Sequence, residues 1–140
     1  MTVLECCRMD VVTASPDAKV SEVAELMGDS NVGCVVITKD RCPVGIVTDR
    51  DIVTRVVARG RDPKKTSISE VMTQDPVVVE DGTGLFEAMQ FIRDEGVRRL
   101  PIVDCDGNLA GIITTDDIIR LIGQEMQCIG DVMREASPSE

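Results

Sequence analysis

Two short segments carry the residues best placed to do chemistry: Thr48-Asp49-Arg50-Asp51 and Thr114-Thr115-Asp116-Asp117. Each follows a strand-like run and opens a helical one. Read structurally, Thr as N-cap with Asp three residues on is a short form of the capping box. Read functionally, a helix start offers free backbone N–H groups and a partial positive charge. A carboxylate held there stays ionised and can accept both hydroxyls of a ribose, while the Thr hydroxyl reaches sugar or phosphate. The two readings do not exclude each other. A third candidate is Val97-Arg98-Arg99-Leu100-Pro101, two arginines at the entrance of a strand. They are either a solvated charge pair or an anion contact, since planar guanidinium groups suit phosphate.

Other chemistries find little support. The chain has no histidine, hence no Ser/His or Cys/His arrangement, and it has no Gly-rich phosphate loop and no metal cluster. An enzyme is therefore not expected, nor a catalytic cofactor or metal. The six cysteines (Cys6, Cys7, Cys34, Cys42, Cys105, Cys128) follow no C-x-x-C spacing, and they read as reduced thiols acting as small hydrophobes. The Cys6-Cys7 pair is the one place for a redox role, weakened by the lack of a nearby base to lower a thiol pKa.

The elements that position these residues must be aliphatic. Apolar residues make up 43% of the 140, yet Phe86 and Phe91 are the only rings. The net charge of −10 speaks against a nucleic-acid partner, which needs a basic footprint. The N-terminus lacks the basic start and apolar run of a signal peptide. No stretch approaches the roughly 20 apolar residues of a membrane span. A soluble, cytoplasmic protein is expected.

The chain is a duplication. Shifted by 66 positions, Gly45-Ile46-Val47-Thr48 falls on Gly111-Ile112-Ile113-Thr114, Asp51-Ile52-Val53 on Asp117-Ile118-Ile119, Val11-Val12 on Val77-Val78, and Asp40 on Asp106. Each copy reads strand, helix, strand, strand, helix. In the first, Asp10–Thr13 is extended, Ser15-Pro16-Asp17 starts a helix, and Val20, Val23, Ala24 and Met27 form its apolar face. Gly28 to Gly33 breaks it. Cys34–Thr38 and Gly45–Val47 are strands about a turn at Lys39–Pro43, and Ile52, Val53, Val56 and Val57 stripe a second helix. The second copy answers with Leu85, Ala88, Met89 and Ile92, the strand Leu100–Val103, the turn Asp106-Gly107-Asn108, Ile112-Ile113, and Ile118, Ile119 and Ile122. The expected organisation is residues 1–60, a polar linker over 61–67, a second unit over 68–133 and a disordered tail over 134–140. Ile129-Gly130-Asp131-Val132-Met133 echoes the lead-in Ile68-Ser69-Glu70-Val71-Met72, as if a third unit began there. One unit of about 60 residues is marginal alone; two packed sheet to sheet bury both apolar faces.

Tandem units containing Gly-Ile-Val-Thr-Asp-Arg-Asp-Ile and Arg-Arg-Leu-Pro-Ile-Val-Asp resemble the cystathionine-β-synthase (CBS) domain pair, or Bateman module, of the stand-alone bacterial type. The resemblance runs from about Cys6 to Met133. It implies an α/β (α+β) fold of two β-α-β-β-α units packed sheet to sheet with pseudo-two-fold symmetry, often dimerising into a disc. It also implies a regulatory, non-catalytic role: binding AMP, ADP, ATP, NAD or S-adenosylmethionine and signalling to a partner protein that the sequence does not name. A homodimer is expected.

The same resemblance implies two clefts, each joining the Thr-x-x-Asp of one copy to the lead-in and first strand of the other. One holds Ile46, Thr48 and Asp51, with Met72 to Val77 and Val97 around the base. The other holds Ile112, Thr114 and Asp117, with Cys6 to Val11 and Val32 around the base, and Arg98 and Arg99 near the phosphates. Asn31-Val32-Gly33-Cys34 in the first copy carries no base to match the arginines, so unequal sites are expected. The alternatives are a ligand-free interaction scaffold and, behind it, a thiol redox sensor.

Overall fold

The computed structural model describes residues 1–136. After a short helix α1 (Val3–Cys6), the first unit runs β1 (Thr13–Ala14), α2 (Val20–Ser30), β2 (Cys34–Lys39), β3 (Cys42–Thr48) and α3 (Asp49–Ile52), which continues as a π-helical turn over Val53–Val57. A 3-10 turn at Ile68–Glu70 and β4 (Thr73–Gln74) lead to the second unit. That unit is β5 (Val79–Glu80), α4 (Leu85–Glu95), β6 (Arg99–Val103), β7 (Leu109–Thr114) and α5 (Thr115–Ala136). Both units keep the strand, helix, strand, strand, helix order.

The duplication extends to fine geometry. In each unit the first strand is parallel to the second, and the second and third form an antiparallel hairpin. The hairpin register shifts at Ile37/Thr38 in one and at Ile102/Val103 in the other. Asp40 and Arg41 turn the first hairpin in the left-handed region (φ 52° and 69°), and Gly107 turns the second (φ 83°). The hairpin tips meet: Leu109 N donates to Arg41 O at 2.8 Å, and Cys42 Sγ lies 3.9 Å from Asn108 Oδ1, its equivalent after a shift of 66 residues.

Alternation along the strands separates two burial environments. Val35, Ile37 and Val47 face α2 in the first core, and Leu100, Ile102 and Ile113 face α4 in the second. Val36, Pro101 and Ile112 point to the opposite face and are buried too, as expected of two sheets covering one another. Neither core needs a ring: Phe86 is 72% exposed.

The lead-ins are exchanged. Thr2 and Glu5 form a capping box that starts α1, and Val3 is wholly buried in the second unit's core. Ser67 and Glu70 form the matching box, and Ile68 and Val71 are buried in the first unit's core. The segments following each box then join the edges of those same sheets. β4 pairs with β3, and Arg8 bridges Ile112 with two backbone hydrogen bonds of 3.0 Å.

Several expectations need correction. Helix α2 starts at Val20 rather than near Ser15. Val20 N and Ser21 N donate to Thr66 O and Pro63 O, both at 3.0 Å, so the 61–67 segment supplies from a distance what a local cap would have supplied. Gly28 lies inside α2, which ends where Asn31 takes the left-handed conformation (φ 53°). Of the second-helix stripes, Val56 and Ile118 are buried, but Val53, Val57, Ile119 and Ile122 are exposed, because these helices bury only one narrow edge. Ile129–Met133 begins no third unit. It belongs to α5, whose helical hydrogen bonding runs on through residues 134–136, so that part of the expected tail is ordered; residues 137–140 lie outside the described residues. Among the described residues no helix is long and apolar enough to cross a membrane.

Candidate functional site

Both Thr-x-x-Asp segments are complete capping boxes. Thr48 N donates to Asp51 Oδ2 (2.9 Å) while Asp51 N donates to Thr48 Oγ1 (3.2 Å). Thr114 N donates to Asp117 Oδ2 (3.2 Å) while Asp117 N donates to Thr114 Oγ1 (3.1 Å). In each box one carboxylate oxygen holds the helix start and the other points outward. What meets that outward oxygen differs between the copies.

At Asp117, Oδ1 is met by two arginines, Arg8 Nε at 3.3 Å and Arg120 Nη1 at 3.1 Å. Burial pushes this carboxyl's pKa up, but the Thr114 hydrogen bonds and the two guanidinium groups outweigh it and hold the value below the ordinary one. The carboxylate stays charged although its side chain is only 6% exposed. In front of it opens a cleft of about 570 Å³ that both units line. Val11 and Val32 form walls from the first unit, Ile112 and Thr114 from the second, with Arg8, Arg99 and Arg120 around it. Asp10 and Asp116 also line it, while Asp117 lies behind the lining, covered by Arg8 and Arg120. α5, with 22 residues, starts at this cleft.

The structure therefore brings Val11, Val32, Ile112, Thr114 and Arg99 of the second expected set into one cleft, with Asp117 directly behind it, bonded to Thr114 and paired with Arg8 and Arg120. Arg98 is exposed and outside the lining; its carbonyl accepts Thr115 N at 2.9 Å and so positions the start of α5. Sequence reasoning placed Arg8 only within the Cys6–Val11 segment around the base, not as a partner of Asp117, and it missed Arg120. The only signals for them were a base before the first strand and one three residues after Asp117.

The first set is divided. Ile46 pairs with Thr73, and Met72 packs on the first core against Gly45, where a Cβ would run into its Sδ. Val77 and Val97 pack on the second core. Asp51 faces Arg55, whose Nη2 lies 3.6 Å from Oδ1, while Arg55 Nη1 donates to Val71 O (2.8 Å) and Thr73 Oγ1 (3.2 Å). Arg55 thus ties Asp51 to the strand edge beside it. The helix behind Asp51 is also short, four α-helical residues before the π turn.

The thiols near the cleft are weak acids. Burial raises the pKa of Cys6 and of Cys7. It pushes Cys34, which lines the cleft, up to about 11 despite the opposing charge of Arg99. Neutral thiols are poor nucleophiles.

Comparison with known proteins agrees with this architecture. The family model described as "CBS domain" matches residues 3–58 and again 68–124. The CBS domain-containing protein YhcV of Bacillus subtilis is 40% identical over 108 residues, covering 77% of this chain and 76% of that protein. An uncharacterized protein of Methanopyrus kandleri, MK0525, is 39% identical over 122 residues, 86% of this chain but only 62% of its own length. Among solved structures, the CBS domain protein PAE2072 from Pyrobaculum aerophilum, complexed with AMP, superposes with a TM-score of 0.76 at 26% identity, covering 84% of this chain and 89% of that one. Two matches in tandem on two interlocked units of the same topology make this chain a member of the CBS domain family, as a CBS pair.

Proposed function

We propose that this CBS pair is a regulatory, non-catalytic module that binds an adenosine-containing nucleotide in the cleft at Asp117 and passes its ligand state to a partner protein. The observation that carries this reading is a two-unit cleft with apolar walls on one side and arginines on the other, behind whose Arg8 and Arg120 lies the buried, charged Asp117. Val11, Val32 and Ile112 offer flat apolar contact for a base. Asp117 Oδ1 offers a charged acceptor for ribose hydroxyls once Arg8 and Arg120 turn from it toward the phosphate end, where Arg99 waits. AMP bound to a relative at 26% identity supports the ligand class; ADP, ATP, NAD and S-adenosylmethionine belong to the same chemical class.

One nucleotide per chain is the expected stoichiometry, because Arg55 beside Asp51 is itself fixed by hydrogen bonds to Val71 O and Thr73 Oγ1, an anchorage that the side chains of Arg8 and Arg120 lack. Binding that differs in affinity between two arrangements of the module shifts their populations, and that shift is the signal.

A homodimer fits the outer face of α5. Ile119, Ile122, Met126, Ile129 and Met133, all 41–68% exposed, repeat at spacings of three and four residues. That is the seam of a two-helix coiled coil, and a second copy of the chain presents the same seam. In an antiparallel pair, Ile122 meets Met133 and Met126 meets Ile129 in successive layers.

Isothermal titration with AMP tests the nucleotide reading. Asp117→Ala is expected to weaken binding by about 1.5–3 kcal/mol, the range for hydrogen bonds to charged groups, and Asp51→Ala to leave it nearly unchanged. Because both aspartates already serve as complete caps, a ligand-free interaction scaffold is the second reading. It takes the lead if neither substitution alters binding while the fold stays intact.

A further inference from the structure

Between residues 55 and 65 the chain carries Arg55, Arg59, Arg61, Lys64 and Lys65 against a single acid, Asp62, in a protein of net charge −10. The π-helical turn after α3 and the turn that follows it gather the three arginines around one open cleft of about 530 Å³. Glu70 stands on its rim, and Val71 and Met72 complete the lining. This cleft shares no residue with the one at Asp117.

Two of the guanidinium groups are held in place. Arg55 is anchored to Val71 O, Thr73 Oγ1 and Asp51. Arg61 Nη2 lies 3.0 Å from Glu70 Oε1, and the other oxygen of Glu70 accepts Ser67 N at 2.8 Å. Arg59 has no ion-pair partner among the described residues. Three guanidinium charges meet two carboxylates, Glu70 on the rim and Asp51 behind Arg55, which leaves a local charge of +1, carried by Arg59, on a protein whose overall field repels anions.

We propose that this arginine cleft is a second anion site, distinct from the nucleotide cleft, that takes the phosphoryl dianion of a small soluble phosphate compound. A single guanidinium fork satisfies a carboxylate, whereas a phosphoryl group has enough oxygens to be shared by several forks. Bound there, it joins Arg55 and Arg59 of the first unit to the exchanged lead-in at Glu70–Met72, and so clamps the segment that leads into the second unit.

Titration of the full chain with inorganic pyrophosphate, against sodium chloride of equal ionic strength, tests the site. The unmodified protein is expected to bind one pyrophosphate here. Arg59→Glu and the milder Arg59→Gln should each weaken it by about tenfold or more, as loss of a charged hydrogen-bonding group implies. Both variants should keep the melting temperature of the free protein, since Arg59 supports no other group, and both should keep AMP affinity. Arg99→Ala should leave this pyrophosphate affinity within about twofold, because Arg99 lines the other cleft and the two clefts share no lining residue. Absence of saturable pyrophosphate binding overturns the proposal. So does binding that survives Arg59→Glu but is lost in Arg99→Ala, which would place the anion in the nucleotide cleft. AMP binding is read independently of either result, so failure of this site and failure of the nucleotide reading stay distinguishable.

Discussion

Val3 and Ile68 sit in each other's halves of the molecule: Val3, at the start of the chain, is wholly buried in the second unit, and Ile68, at the start of the second repeat, is wholly buried in the first. Each unit's core is therefore completed by the segment that precedes the other. Such an exchange makes the two folds interdependent, beyond what sheet-to-sheet contact alone requires.

Fragments 1–66 and 67–140 test that dependence. The first lacks Ile68, Val71 and the β4 edge; the second lacks Val3 and the Arg8 bridge. Neither is expected to melt cooperatively alone, and mixing the two should restore a transition. In the intact chain Ile68→Ala should cost about 2–5 kcal/mol, the range for truncating a buried isoleucine. Chemical denaturation of the three samples decides; two independently folding fragments would show that the exchange is incidental.

The repeat was legible because the Gly-Ile-Val/Ile-Thr runs, both Thr-x-x-Asp segments and the hairpin positions keep one offset of 66. The lead-in exchange came only with the family resemblance, which joins each Thr-x-x-Asp to the other copy's lead-in; the repeat by itself does not carry it. Thr2-x-x-Glu5 and Ser67-x-x-Glu70 match at an offset of 65, one residue out of step, and a four-residue helix has no periodicity to read. The start of α2 was misjudged at Ser15 because its real acceptors, Pro63 O and Thr66 O, lie some 45 residues away in sequence. Within the site, Thr114, Asp117 and Arg99 were legible by type and spacing. The pairing of Arg8 with Asp117 was not, because the resemblance placed the Cys6–Val11 segment around the base and no spacing tells which of its side chains meets the carboxylate.

Asp117 gives stability a pH dependence. Its carboxyl titrates lower in the folded chain than in the unfolded one, so its contribution is fully present above the unfolded value, about pH 4, and is lost as pH falls through the lower folded value. Asp117→Asn removes that contribution. The stability difference between the unmodified protein and the variant should be constant near neutrality and shrink on acidification toward pH 3. A difference that grows with acid would contradict the assignment.

The thiols should react in order of exposure and acidity. Cys105 and Cys128 are exposed, whereas Cys34 is held neutral by burial with a pKa of about 11. Iodoacetamide at pH 7.5 should modify Cys105 and Cys128 well before Cys34, as peptide mapping over time would record. Because burial also raises Cys6 and Cys7, changing both to Ser should leave AMP affinity and its response to mild oxidants unaltered. An oxidant effect abolished by that double change would restore the redox alternative.

The seam on α5 predicts the oligomeric state. Met126 and Ile129 meet at the centre of the antiparallel pairing, where a charge would be buried without a partner. Met126→Asp with Ile129→Asp should convert a dimer to a monomer by light scattering after gel filtration, with the circular dichroism of the two units largely kept. A dimer that persists through both changes must be held elsewhere.

The last prediction separates phosphate recognition from base and ribose recognition in the cleft at Asp117. Arg99 reaches the lining from β6, at the start of the strand whose neighbour in sequence, Arg98, holds Thr115 through its carbonyl. Truncating Arg99 therefore removes a positive charge from the cleft while leaving the α5 cap intact. Arg99→Ala should weaken AMP by about 1.5–3 kcal/mol and adenosine by far less, since adenosine offers no phosphate to contact. Raising the salt concentration screens the charge–phosphate attraction, so AMP affinity should fall with salt in the unmodified protein and fall less steeply in the variant. Adenosine affinity should be nearly flat in both. Titrations of the two proteins with both ligands at two salt concentrations give eight affinities. Equal losses for AMP and adenosine would mean that Arg99 shapes the cleft without meeting the phosphate, and would assign that contact to Arg8 and Arg120, the two guanidinium groups that Asp117 holds at its outward oxygen.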